Sequence, residues 1–239
     1  MRPELSIVSF LCTVLLSGLA FLHAKSRNVA VLALISWLLV ANLIQGINSI
    51  IWSANETVRS EVWCDISSKL LLGSRLALPL TCTCICAHLH YLSSARNTRR
   101  RPHRFLLEFT SCLIIPFIYM ALHTIVQDHR FVLAEDFGCV SSTYTSVPAL
   151  FLVWIPPMIL CICTTTYATL ALWRHIHRSR LITDRAGVPS RLITVTFLRP
   201  LLTALFTSMI TLAASIFDIY AAISSAHGFR PWTSLGDVH

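Results

Sequence analysis

The sequence predicts an all-α fold, a polytopic bundle of transmembrane helices with its N-terminus outside. Hydrophobic residues make up 55% of the 239-residue chain and charged residues only 13%, whereas about 25% of the residues of a soluble domain are charged. The apolar residues form six long stretches, and the basic residues lie mainly in alternate gaps between them. The predicted spans, numbered first to sixth, are roughly 5–23, 29–52, 64–92, 105–126, 147–173 and 197–223.

Each stretch is long enough to cross a bilayer as a helix, which takes ~20 residues at a rise of ~1.5 Å per residue. In lipid the backbone must satisfy its own polar groups, so only helices and closed barrels can span a membrane. The stretches lack the two-residue alternation that is typical of barrel strands. The pattern therefore favours helices.

The distribution of Lys and Arg predicts the orientation. Thirteen of the nineteen lie in the gaps at 24–28, 93–104 and 174–199, and the N-terminus and the other gaps hold only four. Short loops rich in Lys and Arg stay in the cytoplasm, so the N-terminus is expected outside. We attribute the net charge of +8 to inner loops that face anionic lipid and cytosolic partners, not to nucleic-acid binding.

The first stretch could also be a signal peptide, because Arg2 precedes it and Gly18-Leu19-Ala20 ends in a small residue. The stretch is longer than a usual signal core, however, and Lys25 and Arg27 follow it at once. These features favour a membrane span. The only glycosylation sequon begins at Asn55, in a gap predicted to lie outside.

Two of the nine cysteines are expected to face the oxidising compartment. Cys64 lies at the start of the third span and Cys139 in the second outer gap, so they either form a disulfide or remain free thiols, and we favour the disulfide. Cys82, Cys84 and Cys86 recur at every second residue, which spreads them around a helix. No zinc site is predicted from that spacing.

Charged residues inside the third span are costly in lipid and therefore informative. Asp65 and Lys69 are four residues apart, so they can pair on one helix face near the outer surface. Arg75 lies ~16 Å along the helix from Cys64 and should face the bundle interior. Its expected partner is Asp218 in the sixth span; alternatively, Arg75 snorkels or binds backbone carbonyls.

The second span adds a polar stripe at three-residue spacing, formed by Asn42, Gln45 and Asn48. Two interpretations of this stripe stay open. The stripe either joins helices through hydrogen bonds or lines a ligand cavity in the outer half of the bundle. In the second case the candidate ligand-binding residues are Asn42, Gln45, Asn48, Arg75 and Asp218, with Asp65 and Lys69 nearer the outer surface.

Enzymatic signatures are absent from the sequence. It contains no glycine-rich nucleotide loop and no Gly-x-Ser-x-Gly elbow. His88-Leu89-His90 and His175-Ile176-His177 place each histidine pair two residues apart, whereas helical metal pairs are four apart. The sequence predicts no catalysis, no metal site and no cofactor. Pro79, Pro116 and Pro156-Pro157 fall inside spans and predict kinks.

Four groups of residues carry a resemblance to a known family. They are Ser26-Arg27-Asn28, Trp37, Asn42, Ile47-Asn48 and Ile51-Trp52; Trp63-Cys64-Asp65-Ile66, Lys69, Gly73 and Ala77-Leu78-Pro79; Gln127, Arg130-Phe131, Glu135 and Gly138-Cys139; and Pro231-Trp232 with Asp237-Val238-His239. In these groups, over nearly its whole length, the chain resembles the fungal lipopeptide mating-pheromone receptors, which are class D G-protein-coupled receptors of the a-factor receptor type.

The resemblance implies a plasma-membrane receptor that binds a farnesylated peptide pheromone in the outer half of the bundle and activates a heterotrimeric G protein. A transporter or channel component is the alternative, but it would need a polar path across the whole membrane. The candidate G-protein contacts, which also serve as topogenic charge, are Arg96, Arg99, Arg100, Arg101, Arg174, Arg178 and Arg180.

The chain departs from the family pattern in two places. Members usually carry an arginine near the inner end of the third helix, where this chain has Cys86-Ala87-His88. This difference puts G-protein coupling in question. The family also has a seventh helix, whereas the chain reaches His239 after six apolar stretches. We therefore expect a sequence truncated before its seventh span.

Overall fold

A computed structural model describes residues 3–26, 28–52, 60–93, 102–134, 137–186 and 191–225. Within these residues, six helical spans are long and apolar enough to cross a membrane. The predicted fold class, an all-α transmembrane bundle, is therefore confirmed. The spans are Glu4–His23, Val29–Ile51, Glu61–Ser93, Leu106–Val126, Val147–His177 and Phe197–Ser224.

The first three spans and the sixth are continuous α-helices, whereas the fourth and fifth contain a π-helical turn. The continuous helices are Pro3–His23, Val29–Ile51, Glu61–Ser93 and Arg191–Ser225, with a 3₁₀ turn at Ala24–Ser26 after the first. The fourth span comprises α-helix Pro102–Phe109, π-turn Thr110–Ile114, α-helix Ile115–His123 and 3₁₀ turn Thr124–Val126. The fifth comprises α-helix Val147–Ala149, π-turn Leu150–Trp154 and α-helix Ile155–Ala186.

The third span is the centre of the bundle. It contacts the second, fourth, fifth and sixth spans, whereas the first span packs chiefly against the second. Small residues allow this close approach: a Cβ added at Gly73 would come within 2.7 Å of the Met120 sulfur on the fourth span. The Thr83 and Thr164 hydroxyls, 2.8 Å apart, join the third span to the fifth. The packing of the third span against the fourth thus depends on a small residue, and its packing against the fifth includes a pair of hydroxyl groups.

Two backbone carbonyls located four residues before a proline accept hydrogen bonds from side chains of other spans. Pro116 and Pro157 lack the N–H that would bond the carbonyl four residues earlier, at Cys112 and Val153 respectively. Trp37 Nε1 donates to the Cys112 carbonyl at 3.1 Å, and the Tyr119 hydroxyl donates to the Val153 carbonyl at 2.8 Å. Neighbouring helices commonly satisfy proline-freed groups in this way.

A short β-hairpin follows the fourth span. Strands β1 (Val132–Ala134) and β2 (Gly138–Val140) pair antiparallel, with Leu133 opposite Cys139. Strand β2 contacts the second and third spans, so the hairpin covers one end of the bundle. Three-residue strands have too little alternation to be predicted from sequence, and we had expected only a loop here.

Candidate ligand site at the outer end of the bundle

We use the term outer end for the end of the bundle that carries the hairpin, since the charge pattern places this end outside. The Cys64 and Cys139 sulfurs are joined in a disulfide, with their Cα atoms 5.1 Å apart. Both cysteines and Trp52 are buried in one apolar cluster. The sequence left open whether these cysteines form a disulfide or remain free thiols. The structure contains the disulfide, which ties the hairpin to the third span.

Asn48 attaches the hairpin to the second span. Its side-chain oxygen accepts a hydrogen bond from Trp63 Nε1 at 2.9 Å, and its Nδ2 donates a long one to the Phe137 carbonyl at 3.5 Å. Gly138 adopts a left-handed φ of 82°, and a Cβ there would come within 2.7 Å of the Asn48 Cβ. Asn48 is completely buried, and its contacts in this structure support the hairpin.

The other two members of the polar stripe behave differently from Asn48. Asn42 Nδ2 donates to the Leu38 carbonyl of its own helix at 2.8 Å. The Gln45 Nε2 atom is buried and has no hydrogen-bond partner among the described residues. The stripe is therefore not one continuous ligand surface: Asn48 joins elements, Asn42 bonds locally, and Gln45 retains a buried donor.

Arg75 and Asp218 form an ion pair that joins the third and sixth spans. Arg75 Nη1 lies 2.6 Å from Asp218 Oδ2, and the two side chains are 48% and 35% exposed. The sequence left open whether Arg75 pairs with Asp218, snorkels or binds backbone carbonyls, and the structure contains the pair. Charge exposed at this depth is unfavourable in lipid, so this face of the bundle is suited to a polar group.

The pairing of Asp65 with Lys69 that the spacing allows is not found among the ion pairs of the described residues. Asp65 Oδ2 instead pairs with Arg130 Nη2 at 2.8 Å, and Lys69 makes no ion pair among the described residues. A separation of four residues brings two side chains within reach. It does not decide between that contact and a better-placed group from another element, and here the outer loop supplies Arg130.

Lys69 lies in a hydrogen-bonded cluster that joins the third span, the fourth span and the outer loop. Its Nζ atom is 2.6 Å from Gln127 Oε1 and 3.2 Å from His123 Nδ1. His123 Nε2 lies 3.0 Å from the Thr143 hydroxyl, and Gln127 Nε2 donates to the Arg130 carbonyl. The cluster fixes the outer loop to the bundle and leaves one ammonium hydrogen of Lys69 for another acceptor.

Sequence reasoning did not single out His123 or Thr143 for this site. His123 looks like an ordinary helix-end residue, and only its burial, at 1% exposed, indicates a structural role. Gln127 and Arg130 did appear in the family resemblance, although without an assigned contact. Their function in the structure is to satisfy Lys69 and Asp65.

Several predicted residues lie outside the part of the chain that the structure describes. They are the glycosylation candidate Asn55 and the loop arginines Arg96, Arg99, Arg100 and Arg101. Arg174 lies near the inner end of the fifth span, and the same helix continues through Arg178 and Arg180, whose side chains are not described. Near the departure from the family pattern, His88 Nδ1 lies 3.6 Å from Glu108 Oε1 of the fourth span.

The family model described as Pheromone A receptor matches residues 4–239. Pheromone B beta 1 receptor of Schizophyllum commune is 36% identical over 244 residues, which cover 100% of this chain and 45% of that protein. Pheromone B alpha 1 receptor of the same organism is 30% identical, covering 91% of this chain and 34% of that protein.

A more distant relative, Pheromone receptor 1 of Mycosarcoma maydis, is 28% identical, covering 91% of this chain and 62% of that protein. The chain spans less than half the length of the two Schizophyllum receptors. The match to the family model, which extends through all six spans, confirms the resemblance found in the sequence. This multi-pass membrane protein belongs to the pheromone A receptor family.

Proposed function

We propose that this chain acts as a mating-pheromone receptor of the plasma membrane. It binds a farnesylated peptide in the outer half of its bundle and activates a heterotrimeric G protein at the inner end. Membership of the pheromone A receptor family supports the general role. The Arg75–Asp218 ion pair carries the assignment of the binding site, because it is a charged pair left partly exposed within the spans.

A peptide would suit this pair chemically. Backbone carbonyls accept hydrogen bonds from the Arg75 guanidinium, and backbone N–H groups donate to the Asp218 carboxylate. Such contacts replace the water that either group loses inside the bundle, where an unpaired polar group is costly. We further assign Asn42, Gln45, Asp65 and Lys69 to the polar surroundings of the peptide.

The hydrocarbon tail would require an apolar surface beside the ion pair. Phe217 directly precedes Asp218 on the sixth span and is 68% exposed. Each CH₂ group removed from water contributes about 0.8 kcal/mol, so a farnesyl group adds much of the affinity. The combination of a polar pair and an exposed apolar face supports a lipidated peptide over a purely polar one.

At the inner end, the basic residues supply the proposed G-protein surface. Arg174 lies near the inner end of the long helix Ile155–Ala186, and the arginine-rich inner loops add further positive charge. Positive surfaces attract acidic partners and speed their association. We propose that Arg174, with Arg178, Arg180 and the loop residues Arg96, Arg99, Arg100 and Arg101, contacts the G protein.

The first experiment compares two arginine variants at opposite ends of the bundle. Membranes carrying Arg75→Ala or Arg174→Ala are tested for binding of a farnesylated pheromone peptide and for nucleotide exchange on a heterotrimeric G protein. Arg75→Ala should weaken binding about tenfold or more, because it leaves Asp218 without its partner. Arg174→Ala should preserve binding and reduce the exchange rate.

The unfarnesylated peptide serves as the ligand control and should bind more weakly than the farnesylated one. Unchanged binding by Arg75→Ala at matched surface expression would remove Arg75 from the site. Substrate transport by the membranes without any nucleotide exchange would support a transporter and contradict the receptor.

A further inference from the structure

Tyr119 occupies a position that the proposed receptor function does not yet explain. Its hydroxyl donates to the Val153 carbonyl at 2.8 Å, which cannot bond residue 157 because that residue is proline. The fifth span contains its π-turn at the same place, Leu150–Trp154. Tyr119 therefore donates, from another span, to a carbonyl that cannot accept the usual helical hydrogen bond from residue 157.

The same side chain also borders the proposed ligand site. Tyr119 packs in a buried cluster with Leu72 and Leu76, which lie on either side of Arg75 in the third span, and Ile219, next to Asp218, packs against that cluster. Tyr119 is thus in contact with the bend of the fifth span and packs against residues that neighbour the ion pair.

We propose that Tyr119 is a positioning residue that couples occupancy of the Arg75–Asp218 site to the bend of the fifth span. The proposal rests on the receptor function proposed above. A ligand group that engages Arg75 or Asp218 changes the packing around the Tyr119 side chain. The hydrogen bond from the Tyr119 hydroxyl to the Val153 carbonyl then changes in strength. The preferred angle between the helical segments before and after the bend of the fifth span changes as a result.

The length of the fifth span converts a small change of angle into a large displacement. From Pro157 to Arg174 the helix extends ~25 Å at ~1.5 Å per residue. A rotation of about 10° at the bend therefore moves Arg174 by about 4 Å, given that length. Helix movements in switching proteins range from about 1–2 Å to one helical turn of about 5.4 Å, so this displacement lies within that range. The proposed G-protein contact would thus respond to the ligand.

Tyr119→Phe tests the coupling because it removes only the hydroxyl. Tyr220→Phe is the matched control, since Tyr220 is 71% exposed on the sixth span. For each variant, the Kd of the farnesylated peptide and its EC50 for G-protein nucleotide exchange are measured in the same membranes. A net hydrogen bond contributes about 1 kcal/mol, so Tyr119→Phe should change the EC50/Kd ratio about fivefold. Tyr220→Phe should leave it unchanged.

A second variant identifies the carbonyl through which the hydroxyl acts. Pro157→Ala restores an N–H that can bond the Val153 carbonyl within the helix. In that background Tyr119→Phe should change the EC50/Kd ratio less than twofold, which is a non-additive cycle. The Kd is independent of expression level and the EC50 is compared at matched receptor density, so a variant that folds less efficiently still reports the coupling.

An unchanged EC50/Kd ratio in Tyr119→Phe would overturn the inference, as would an equal effect of this change with and without Pro157. Failure of the unmutated chain to bind the peptide would overturn the proposed function and the inference together. Binding and exchange by the unmutated chain, combined with an unaltered ratio in Tyr119→Phe, would reject the inference alone.

Discussion

At the scale of single residues, the outer end depends on a few buried polar side chains. Asn48 has no exposed surface, yet its amide connects the second span to Trp63 and to the hairpin. A buried polar group that loses its partner costs about 1–3 kcal/mol. Substitution of such a residue is therefore expected to lower stability even when the residue makes no contact with a ligand.

Asn48→Ala should destabilise the protein because it leaves the Trp63 indole N–H without its acceptor. The expected loss is about 1–3 kcal/mol, measured as a lower midpoint of thermal unfolding in lipid nanodiscs. Asn42→Ala is the matched control, since within the described part of the chain the Asn42 amide bonds only the Leu38 carbonyl of its own helix. Equal losses in the two variants would contradict the structural role of Asn48.

Residue-scale predictions from sequence succeeded where chemistry restricts the options. Arg75 lies deep in a span and needs a counter-charge there, and Asp218 is such a group. The spacing allowed Asp65 to pair with Lys69, but it gives no information about partners from the outer loop. Asp65 pairs with Arg130 of that loop instead. The cluster around Lys69 depends on a loop conformation that sequence periodicity does not encode.

At the scale of elements, the hairpin is held at two points. Asn48 anchors it to the second span and the Cys64–Cys139 disulfide anchors it to the third. Neither anchor could be derived from strand patterns, because each strand is three residues long. The cysteines were nevertheless predictable from the topology, since both fall on the outer side.

Removal of the disulfide, by Cys64→Ser with Cys139→Ser, should lower stability and weaken peptide binding. The bridge closes a segment of 75 residues, for which the loop-entropy model gives about 4.5 kcal/mol as an upper figure. Cys12→Ser is the control, since Cys12 is free and lies on the first span. Unaltered unfolding and binding in the double variant would show that the remaining contacts secure the hairpin without the bridge.

At the scale of the whole molecule, the apolar runs and the charge asymmetry were sufficient to predict the bundle. Lipid forces each span to satisfy its own backbone, so a span can be recognised without knowledge of its neighbours. The order of packing around the third span could not be predicted in this way. That order follows from close contacts such as Gly73 with Met120, which depend on how helices meet in three dimensions.

The orientation of the whole chain is also testable. If the N-terminus lies outside, Asn55 carries a glycan, and Asn55→Gln should remove the mobility shift seen after glycosidase treatment. Protease added to the cytoplasmic face of sealed vesicles should cut the loop that contains Arg96–Arg101. Cleavage of that loop from the outer face would reverse the predicted topology.

The two anchors of the hairpin also decide how a ligand can approach. A cover fixed to two neighbouring helices cannot lift away as a hinged lid would. The partly exposed Arg75 and Asp218 side chains lie between the third and sixth spans, whereas strand β2 contacts the second and third. The proposed peptide ligand can thus reach the ion pair without displacing the hairpin. Where its tail is held in the outer leaflet, its encounter with the site depends on lateral diffusion in the membrane and on the amount of peptide that partitions there from water.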